Sequence, residues 1–263
     1  MLQSGRNDIN LNIKWNADKY TSDFSFVHKH GLGVIELIEK QGGTAVDLGC
    51  GNGALTKALH DKGFDVIGLD ASDEMLKKAR ENNPELEFRK ADATEFRLEK
   101  PVDLIFSNAV FHWIDRQKHP QMLKCVYDAL NFGGELVFEF GGRGNAHKIH
   151  SELAKVFAKH GYEYKTNYYF AGVGDYAPLV EQAGFTVRYA ALFERPTELV
   201  GDNGLENWIR MFLQLPFSVI KDRTEADEII AEAVDELKSE LYINGKWYAD
   251  YMRIRMRAEK PLR

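Results

Sequence analysis

The feature that most constrains the fold is a regular alternation of short β-rich runs and longer amphipathic runs between residues 44 and 140. Most β-rich runs are separated by segments long enough to form helices, so consecutive strands are expected to be parallel and joined by right-handed crossovers. This pattern predicts an α/β fold built on a doubly wound, mostly parallel sheet. The predicted strands of this part are 44–48, 65–70, 86–89, 102–107 and 135–140.

Two further strands, at 186–194 and 247–257, bring the predicted sheet to seven strands. In the last of these, tyrosine and arginine alternate with methionine and isoleucine, with a period of two. One polar and one apolar side are typical of an antiparallel edge strand with one face in solvent. We therefore expect Arg253, Arg255 and Arg257 to face solvent.

The segments outside this sheet are predicted to be helical. Residues 205–213 and 226–237 have helical apolar spacing and lie between the last two strands, as an inserted cap. Residues 17–39 carry large apolar side chains, and we expect them to form an N-terminal helix. The predicted organisation is an N-terminal helical lid at 1–40, an α/β core at 41–195, a helical cap insert at 196–246 and a final edge strand at 247–263.

Composition excludes several classes of protein. A chain of 263 residues that is 44% hydrophobic and 12% aromatic can bury a sizeable core, which excludes a disordered or collagen-like chain. A net charge of −6 argues against a protein that coats nucleic acid. The apolar runs are far shorter than a membrane span, and the start shows no secretory leader. The two cysteines, without metal-ligand spacing, indicate a reducing compartment and no disulfide framework. The expectation is a cytoplasmic monomer or homodimer with no nucleic-acid or membrane partner.

The most informative motif is the glycine-rich run from Val46 to Gly53, which lies where a strand turns into a helix. Glycines at such a turn let a ligand lie against bare main chain, with the first N–H groups of the helix directed at it. Asp70 ends the second strand about 20 residues after Gly49, a spacing at which an acid binds a ribose diol. Together they predict a bound nucleoside without distinguishing between nucleoside cofactors.

Residues at three strand ends narrow the choice of cofactor. Asp47 places a carboxylate beside the glycine loop, which disfavours a pyrophosphate but suits the ammonium and sulfonium groups of S-adenosylmethionine. The turn at 91–93 follows the third strand, and Asp92 there can accept a hydrogen bond from an adenine amino group. Residues 107–113 follow the fourth strand and present polar and aromatic groups at the same edge of the sheet. These features favour S-adenosylmethionine over a dinucleotide.

In combination these motifs resemble those of class I S-adenosylmethionine-dependent methyltransferases. The run 47–53 matches the family's first motif, Asp70 its ribose-binding acid, and Asp92 its adenine-contacting turn. Residues 130–136 match its double-glycine turn, with Phe132 in place of the more usual proline. More narrowly, the chain resembles trans-aconitate methyltransferases of the type 11 branch at 15–20, 107–113 and 206–209.

The resemblance implies S-adenosylmethionine as the cofactor, S-adenosylhomocysteine as its product, no metal, and a small-molecule methyl acceptor. The scarcity of bases after the fourth strand favours an easily ionised oxygen, such as a carboxylate, as the nucleophile. We expect Asn108, His112 and Trp113 to shape the reacting centre, with His112 the main candidate for a general base. The expected cofactor-binding residues are Tyr20, Asp47, Gly49, Cys50, Gly51, Asp70, Ala71, Met75, Asp92, Ala93 and Asn108.

Two other functions are compatible with the same pattern. An NAD-type oxidoreductase would bind its dinucleotide at the same loop, although Asp47 and Asp92 argue against it. A non-catalytic protein could bind an adenosyl ligand as a sensor or scaffold. Several residues also have a structural alternative to a functional role. This alternative is core packing for Tyr20, His112, Trp113, Trp208 and Phe212, and surface salt bridges for Arg143 and Arg210.

Overall fold

The computed structural model describes residues 26–262, and its strands form one mixed sheet. These strands are β1 (Gly43–Leu48), β2 (Phe64–Asp70), β3 (Glu87–Lys90), β4 (Val102–Asn108), β5 (Leu130–Gly141), β6 (Thr186–Leu199), β7 (Tyr242–Ile243) and β8 (Lys246–Glu259). Their order across the sheet is β3-β2-β1-β4-β5-β8-β6, and the short β7 pairs with β8.

Helices cover both faces of this sheet. They are α1 (Phe26–Ile35), α2 (Ala54–Asp61), α3 (Asp73–Asn82), α4 (His119–Ala129), α5 (His147–Lys159), α6 (Val173–Gln182), α7 (Gly204–Phe212), α8 (Gln214–Phe217) and α9 (Arg223–Leu241). Two 3₁₀ turns, η1 (Phe111–Trp113) and η2 (Arg116–Lys118), lie between β4 and α4. Apolar side chains of α1 and α2 pack on one face of the sheet, and those of α4 and α6 pack on the other.

Five neighbouring strands are parallel, as the sequence predicts. β1 lies between β2 and β4 and is parallel to both, and β3 and β5 extend the parallel set on either side. The direction of winding reverses between β1 and β4. In open α/β sheets the crevice at the carboxyl ends of two such strands is where ligands bind. The predicted fold class is confirmed, and it places the glycine loop after β1 at this crevice.

The final strand does not lie where the sequence predicts. β8 runs antiparallel between β5 and β6, so β6 is the edge strand and β8 is an inner strand. Arg253 is only 8% exposed, and Arg255 and Arg257 are half-buried, so the prediction that they face solvent is wrong. The alternation of residue types does assign the residues of β8 to the correct faces of the strand. The polar face can be covered because Glu139 and Glu135 on β5 form ion pairs with Arg255 and Arg257.

The predicted cap insert contains helices at both expected positions, α7 and α9. α9 begins after Asp222, whose side chain caps it by accepting a hydrogen bond from the Thr224 N–H at 2.8 Å. The apolar sides of α7 and α9 pack with α5 in a hydrophobic core that is separate from the cores on the two faces of the sheet. The insert is therefore folded onto the protein through α5.

Helix α6 is not among the predicted elements because Gly174 and Pro178 lie within it, and both residue types disfavour a helix interior. The helix forms because Asp175 accepts a hydrogen bond from the Gly172 N–H at 3.0 Å, and because Tyr176 is fully buried against the sheet. Within residues 26–262 we find no helix with both the length and the apolar composition to span a membrane.

The predicted N-terminal helix is described from Phe26 onward, as α1. Val34 and Ile35 pack against α2, and the Gly33 carbonyl accepts a hydrogen bond from Arg255 Nη1 at 2.9 Å. The end of α1 is thereby anchored to both α2 and β8. Tyr20 and the rest of residues 17–25 lie outside the described residues.

Candidate active site

The glycine loop combines one closely packed glycine with one that borders open space. Gly49 and Cys50 both donate backbone hydrogen bonds to the Leu69 carbonyl, at 2.7 and 3.0 Å, which fixes the turn after β1. Gly49 has a φ of +79°, and a Cβ there would lie 2.2 Å from the Val110 side chain. Gly51 has a φ of +54°, and no heavy atom lies within 4 Å of the position its Cβ would take. The open space beside Gly51 can receive a ligand.

Asp70 is held against this loop. Its Oδ2 accepts a hydrogen bond from the Gly51 N–H at 2.9 Å, and its Oδ1 accepts one from the Ser72 N–H at 2.8 Å. Burial raises the pKa of this carboxyl, and the hydrogen bonds from the backbone lower it. The predicted neighbour Ala71 is exposed at the same corner. The structure thus brings Asp70, Ala71 and Gly51 together at the carboxyl end of β2.

Asp47 lies buried beneath the same loop. Its Oδ2 accepts a hydrogen bond from the Thr56 hydroxyl at 2.7 Å. Burial raises its pKa to about 7, the Thr56 hydrogen bond lowers it, and the charge of Asp70 raises it further. Two carboxyl groups in one poorly hydrated region would both be stabilised in their ionised form by a ligand with positive charge.

The remaining predicted cofactor residues around β3 and α3 differ in exposure. Asp92 is exposed in the turn after β3, where its Oδ1 accepts hydrogen bonds at 2.8 Å from the N–H and the hydroxyl of Thr94. The half-buried Ala93 follows it. The Ala91 N–H donates to the Asp70 carbonyl at 2.9 Å, which joins this turn to the end of β2.

Cys50 and Met75 are part of the interior. The Cys50 side chain packs in a small apolar cluster with Leu76, Ala79 and Phe88, and burial raises the pKa of its thiol. Met75 is buried in the first turn of α3. Cys50 can therefore contact a ligand at the loop with its backbone, while its side chain is occupied by packing.

The end of β4 forms a tight turn at the carboxyl edge of the sheet. The Ser107 hydroxyl donates to the Leu48 carbonyl at 2.7 Å and ties this turn to the start of the glycine loop. Asn108 is buried, and Ala109 adopts a φ of +61° while its N–H donates to the Glu139 carbonyl at 2.7 Å. The Trp113 Nε1–H donates back to the Ala109 carbonyl at 3.2 Å. All three residues predicted for the reacting centre, at 108, 112 and 113, thus lie in one folded turn beside the loop.

The His112 ring is held in this turn by a hydrogen bond from the backbone, which leaves its other ring nitrogen as a donor. It is 8% exposed, and its Nδ1 accepts a hydrogen bond from the Gly141 N–H at 3.2 Å. Burial, and then the positive charge of Arg253, lower its pKa well below 6.5, so the imidazole is neutral at pH 7. Because Nδ1 accepts, the single proton of the neutral ring lies on Nε2. In this arrangement His112 can donate a hydrogen bond to a ligand from Nε2, and its role as a general base stays a prediction.

Comparison with known proteins assigns the family. Residues 45–134 match a family model described as a methyltransferase domain. The chain is 32% identical over 260 residues to an uncharacterised methyltransferase of Schizosaccharomyces pombe, a match that covers 94% of this chain and 98% of that protein. The chain belongs to the class I S-adenosylmethionine-dependent methyltransferases. This assignment excludes the alternative of an NAD-type oxidoreductase.

Other similar proteins share part of the chain or its fold. Trans-aconitate 2-methyltransferase of Rhizobium rhizogenes is 39% identical over 97 residues, which are 36% of this chain and 37% of that enzyme. Malonyl-[acyl-carrier protein] O-methyltransferase 1 of Ilyobacter polytropus is 29% identical over 156 residues, 56% of this chain and 57% of that enzyme. A methyltransferase structure from Bacillus halodurans has a TM-score of 0.63 at 17% identity and covers 89% of this chain and 100% of that one.

In this methyltransferase an aromatic wall closes one side of the turn after β4. The Trp113 ring lies 5.0 Å from that of Tyr168 and 6.3 Å from that of Phe212, between centroids. Phe170 stacks on Tyr168 at 5.6 Å and lies 6.0 Å from the His112 ring. Since Phe212 ends α7, the insert contacts the turn after β4 through this wall.

An open cavity of about 560 Å³ lies next to this aromatic wall. Arg143 lines this cavity and forms an ion pair with Asp175. This contact agrees with the structural alternative for Arg143, a surface salt bridge. Arg210 likewise pairs with Glu206 and Asp227 on the insert. The full lining of the cavity is Asp115, Arg116, Gln117, Arg143, Asn167, Tyr168, Tyr169, Phe170 and Asp175.

An ion-pair cluster at the end of β5, in which Arg195 and Arg255 bind Glu139, was not predicted from the sequence. Both carboxylate oxygens of Glu139 bind the Arg195 guanidinium, and Oε2 also accepts from Arg255 Nε at 2.7 Å. Arg253 lies over the Tyr251 ring, with Cζ 4.2 Å from its centroid. The alternating arginines of β8 are the sequence signal for this cluster. The alternation alone does not show that charged residues of the neighbouring strands cover these arginines.

The described residues contain one group of acids whose spacing could suit a metal ion, Glu39, Glu135 and Glu259. Arg257 Nη1 lies among them, 2.6 Å from Glu39 and 3.7 Å from Glu135. Glu135 is near the start of β5, at the opposite edge of the sheet from the glycine loop. An arginine therefore already supplies positive charge to these acids, and the group is remote from the candidate active site.

Proposed function

We propose that this enzyme transfers a methyl group from S-adenosylmethionine to a carboxylate oxygen of a small acidic acceptor. The observation that carries the proposal is the arrangement of His112, which is a neutral donor with Nδ1 occupied by the Gly141 N–H. An ionised carboxylate needs no general base, whereas a phenol, amine or carbon acid usually benefits from one. The names of two relatives, which act on trans-aconitate and on malonyl-[acyl-carrier protein], agree with this choice.

The residues at the glycine loop fit the cofactor. Its positively charged groups would offset the burial of Asp47 and Asp70, and the open space at Gly51 would admit its amino-acid portion. Asp70 would hold the ribose hydroxyls, and Asp92 would accept from the adenine amino group. When bound, the cofactor supplies a methyl group on a sulfonium, which is already a good leaving group. Ala93, Asn108 and Tyr20 remain predicted contacts, Tyr20 from outside the described residues.

The contribution of the protein to the reaction is orientation and exclusion of water. Asn108, His112 and Trp113 would line the space above the carboxyl ends of β4 and β5, where the acceptor oxygen must meet the methyl carbon. Phe212 and Tyr168 would close this space from the side of the insert, which makes the insert part of the acceptor pocket. Orientation of this kind can lower a reaction barrier by several kcal/mol.

A methyl-transfer assay with a matched set of acceptors tests the proposal. The purified enzyme is incubated with S-adenosylmethionine labelled in the methyl group and with trans-aconitate, citrate, malonate or succinate. Phenols and amines of similar size form the comparison set. We expect label in base-labile methyl esters of one or more of the acids. Transfer only to phenols or amines would contradict the carboxylate assignment, and binding of the cofactor without transfer to any acceptor would favour the non-catalytic alternative.

A further inference from the structure

The open cavity beside the aromatic wall is tied directly to the turn after β4. The Tyr169 N–H donates a hydrogen bond to the His112 carbonyl at 3.1 Å, and Tyr169 and Phe170 both line the cavity. The Phe170 ring lies 6.0 Å from the His112 ring, between centroids. The Arg143 N–H donates to the Ala171 carbonyl at 2.9 Å, which joins the same segment to the end of β5. The backbone therefore holds this cavity next to the turn that carries His112.

Arg116 is an exposed cation of the cavity lining that no acid holds. Its Cζ lies 5.4 Å from the centroid of the Tyr169 ring. Burial raises the pKa of Tyr169, and both the charge of Arg116 and a hydrogen bond from it oppose this rise. Within residues 26–262 Arg116 forms no ion pair, whereas Arg143 is paired with Asp175. Since arginine has five N–H donors, a bond to Tyr169 leaves other donors for a ligand.

The two acids of the lining are held by other groups of the protein. Asp115 caps η2 by accepting a hydrogen bond from its backbone at 2.7 Å. Asp175 accepts a hydrogen bond from the Gly172 N–H at 3.0 Å and is paired with Arg143. The Gly172 hydrogen bond lowers the pKa of Asp175 most, and the charges of Arg143 and Arg116 lower it further. An acidic group that enters the cavity would thus meet the Arg116 guanidinium, whose planar donor set suits a carboxylate.

The aromatic wall connects this cavity to the proposed acceptor space. Tyr168 and Phe170 line the cavity, and the Tyr168 ring lies 5.0 Å from the Trp113 ring between centroids. Such rings offer an apolar surface on which a hydrocarbon chain can lie. Because the Phe170 ring already lies 6.0 Å from the His112 ring, a ligand that extends from His112 into the cavity must be longer than malonate.

We propose that the cavity binds the remote acidic end of an elongated acceptor, and that Arg116 is the residue that recognises this end. The hydrocarbon chain of the acceptor lies on Phe170 and Tyr168, and the carboxylate at its other end receives the methyl group beside His112. The acceptor class is then an elongated dicarboxylic acid, in preference to a monocarboxylic acid of the same length. This inference rests on the proposed function, because it specifies the acceptor class, and it can be tested by binding alone.

The experiment compares two acids of matched length. Calorimetry follows the binding of adipate and hexanoate to the enzyme saturated with S-adenosylhomocysteine, since hexanoate has the same number of carbons but lacks the second carboxylate. We expect the wild type to bind adipate more tightly. Arg116→Gln should raise the Kd for adipate by about three-fold to five-fold, the effect of a partly exposed ion pair, and leave the Kd for hexanoate unchanged. The control Lys118→Gln removes an exposed cation of the same 3₁₀ turn, outside the cavity lining, and should change neither Kd.

A second variant fills the cavity without changing its charge. Asn167 is half-buried in the lining, and Asn167→Phe would place a ring in the space that we assign to the acidic end. We expect weaker binding of adipate and an unchanged affinity for S-adenosylhomocysteine in both Asn167→Phe and Arg116→Gln. If Asn167→Phe is unfolded, Arg116→Gln decides alone, because it changes an exposed side chain. An unchanged Kd for adipate in Arg116→Gln, an equal loss for adipate and hexanoate, or a wild type that binds both acids equally would overturn the inference.

The same measurements distinguish this inference from the proposed function. Binding of adipate that depends on Arg116, without transfer of methyl to any acid, would contradict the proposed function alone. Methyl transfer to dicarboxylic acids with the same KM in Arg116→Gln as in the wild type would contradict the role of Arg116 alone. Failure of every acid to bind or to be methylated by the wild type would contradict both.

Discussion

The two sides of the candidate active site bury different kinds of titratable group. At the glycine loop, Asp47 and Asp70 are acids whose pKa values are raised mainly by burial. On the other side, around the turn after β4, the buried groups include Arg253, His112 and His119. Burial lowers the pKa values of these two histidines. The cofactor carries positive charge and the proposed acceptor carries negative charge. The buried acids are therefore complementary in charge to the cofactor that we propose they bind, whereas the buried histidines are neutral hydrogen-bonding groups.

The two sides also differ in how the chain builds them. The cofactor side is made of strand ends that follow one another between residues 47 and 93. The acceptor side combines the turn after β4 with β8 and with α7 of the insert, which are remote in sequence. The family model matches residues 45–134, which contain the strand ends of the cofactor side. A local motif thus indicates the cofactor, while the side that we propose for the acceptor depends on long-range pairing.

The largest expected effect concerns stability at low pH on the acceptor side. Burial lowers the pKa values of His119 and His150 to about 4, from 6.5 in an unfolded chain. Between these values the unfolded state binds more protons, so stability is fully present above pH 6.5 and is lost as the pH falls toward 4. From pH 7 to pH 5 each histidine should lower the free energy of unfolding by about 2 kcal/mol. Over the same range Asp47 has the opposite effect, because its pKa of about 7 makes the folded state bind the extra proton. Urea denaturation at both pH values therefore measures the histidine loss as the difference between the wild type and a variant that lacks one of these histidines.

A pair of variants assigns that loss to its source. His150→Phe should remove about half of the combined loss caused by the two histidines, since phenylalanine does not titrate. His60→Phe changes an exposed histidine and is the control for the loss of a histidine at the surface. An identical pH dependence in the wild type and His150→Phe would show that the buried histidine is not responsible.

The positions of the proposed cofactor residues could be predicted from the sequence because these residues lie at the ends of strands that follow one another in the chain. Gly49, Gly51 and Asp70 lie at strand ends, and the alternation of strands and helices already places those ends at one edge of the sheet. The space beside Gly51 and the packing of Val110 against Gly49 were not predictable, because they depend on the turn after β4. Tyr20 lies outside the described residues, so its predicted role is not tested.

The acceptor side could be predicted only in part. His112 was correctly placed in the turn after β4, but its role depends on the Gly141 N–H, which a sequence pattern does not reveal. Arg253 was misplaced because an alternating strand has the same pattern at an edge and inside a sheet. Which of the two applies is decided by Glu139 and Arg195 on the neighbouring strands, which form the ion pairs that cover the polar face.

The next largest effect should come from closing the open space at the loop. In Gly51→Ala the added methyl would occupy the space that we assign to the cofactor, and the affinity for S-adenosylhomocysteine should fall by about 100-fold. Gly201→Ala is a matched control, since Gly201 also has a positive φ and no atom within 4 Å of its Cβ position. Both variants should lose about 1 kcal/mol of stability from backbone strain. Equal cofactor affinity in the two would place the ligand elsewhere.

A smaller loss should follow from removing the acid at the end of β2. Asp70→Ala would remove the proposed hydrogen bonds to the ribose, and the affinity for S-adenosylhomocysteine should fall by about ten-fold or more. Asp73→Ala removes an exposed acid three residues further on, which pairs with Lys90, and should leave the affinity unchanged. Calorimetry measures both values. A folded Asp70→Ala protein with the wild-type dissociation constant would exclude Asp70 from the cofactor site.

The smallest expected effect distinguishes the two sides most directly, because it should alter turnover and spare cofactor binding. Phe212→Leu keeps an apolar side chain at the end of α7 but loses the ring contact with Trp113. Such contacts contribute about 0.5–1.5 kcal/mol, so kcat/KM for the acceptor should fall a few-fold while the affinity for S-adenosylhomocysteine stays constant. Val219→Ala, at an exposed position of the same insert, should change neither quantity. A weaker cofactor affinity in Phe212→Leu, with unchanged acceptor kinetics, would mean that the insert serves the cofactor side instead.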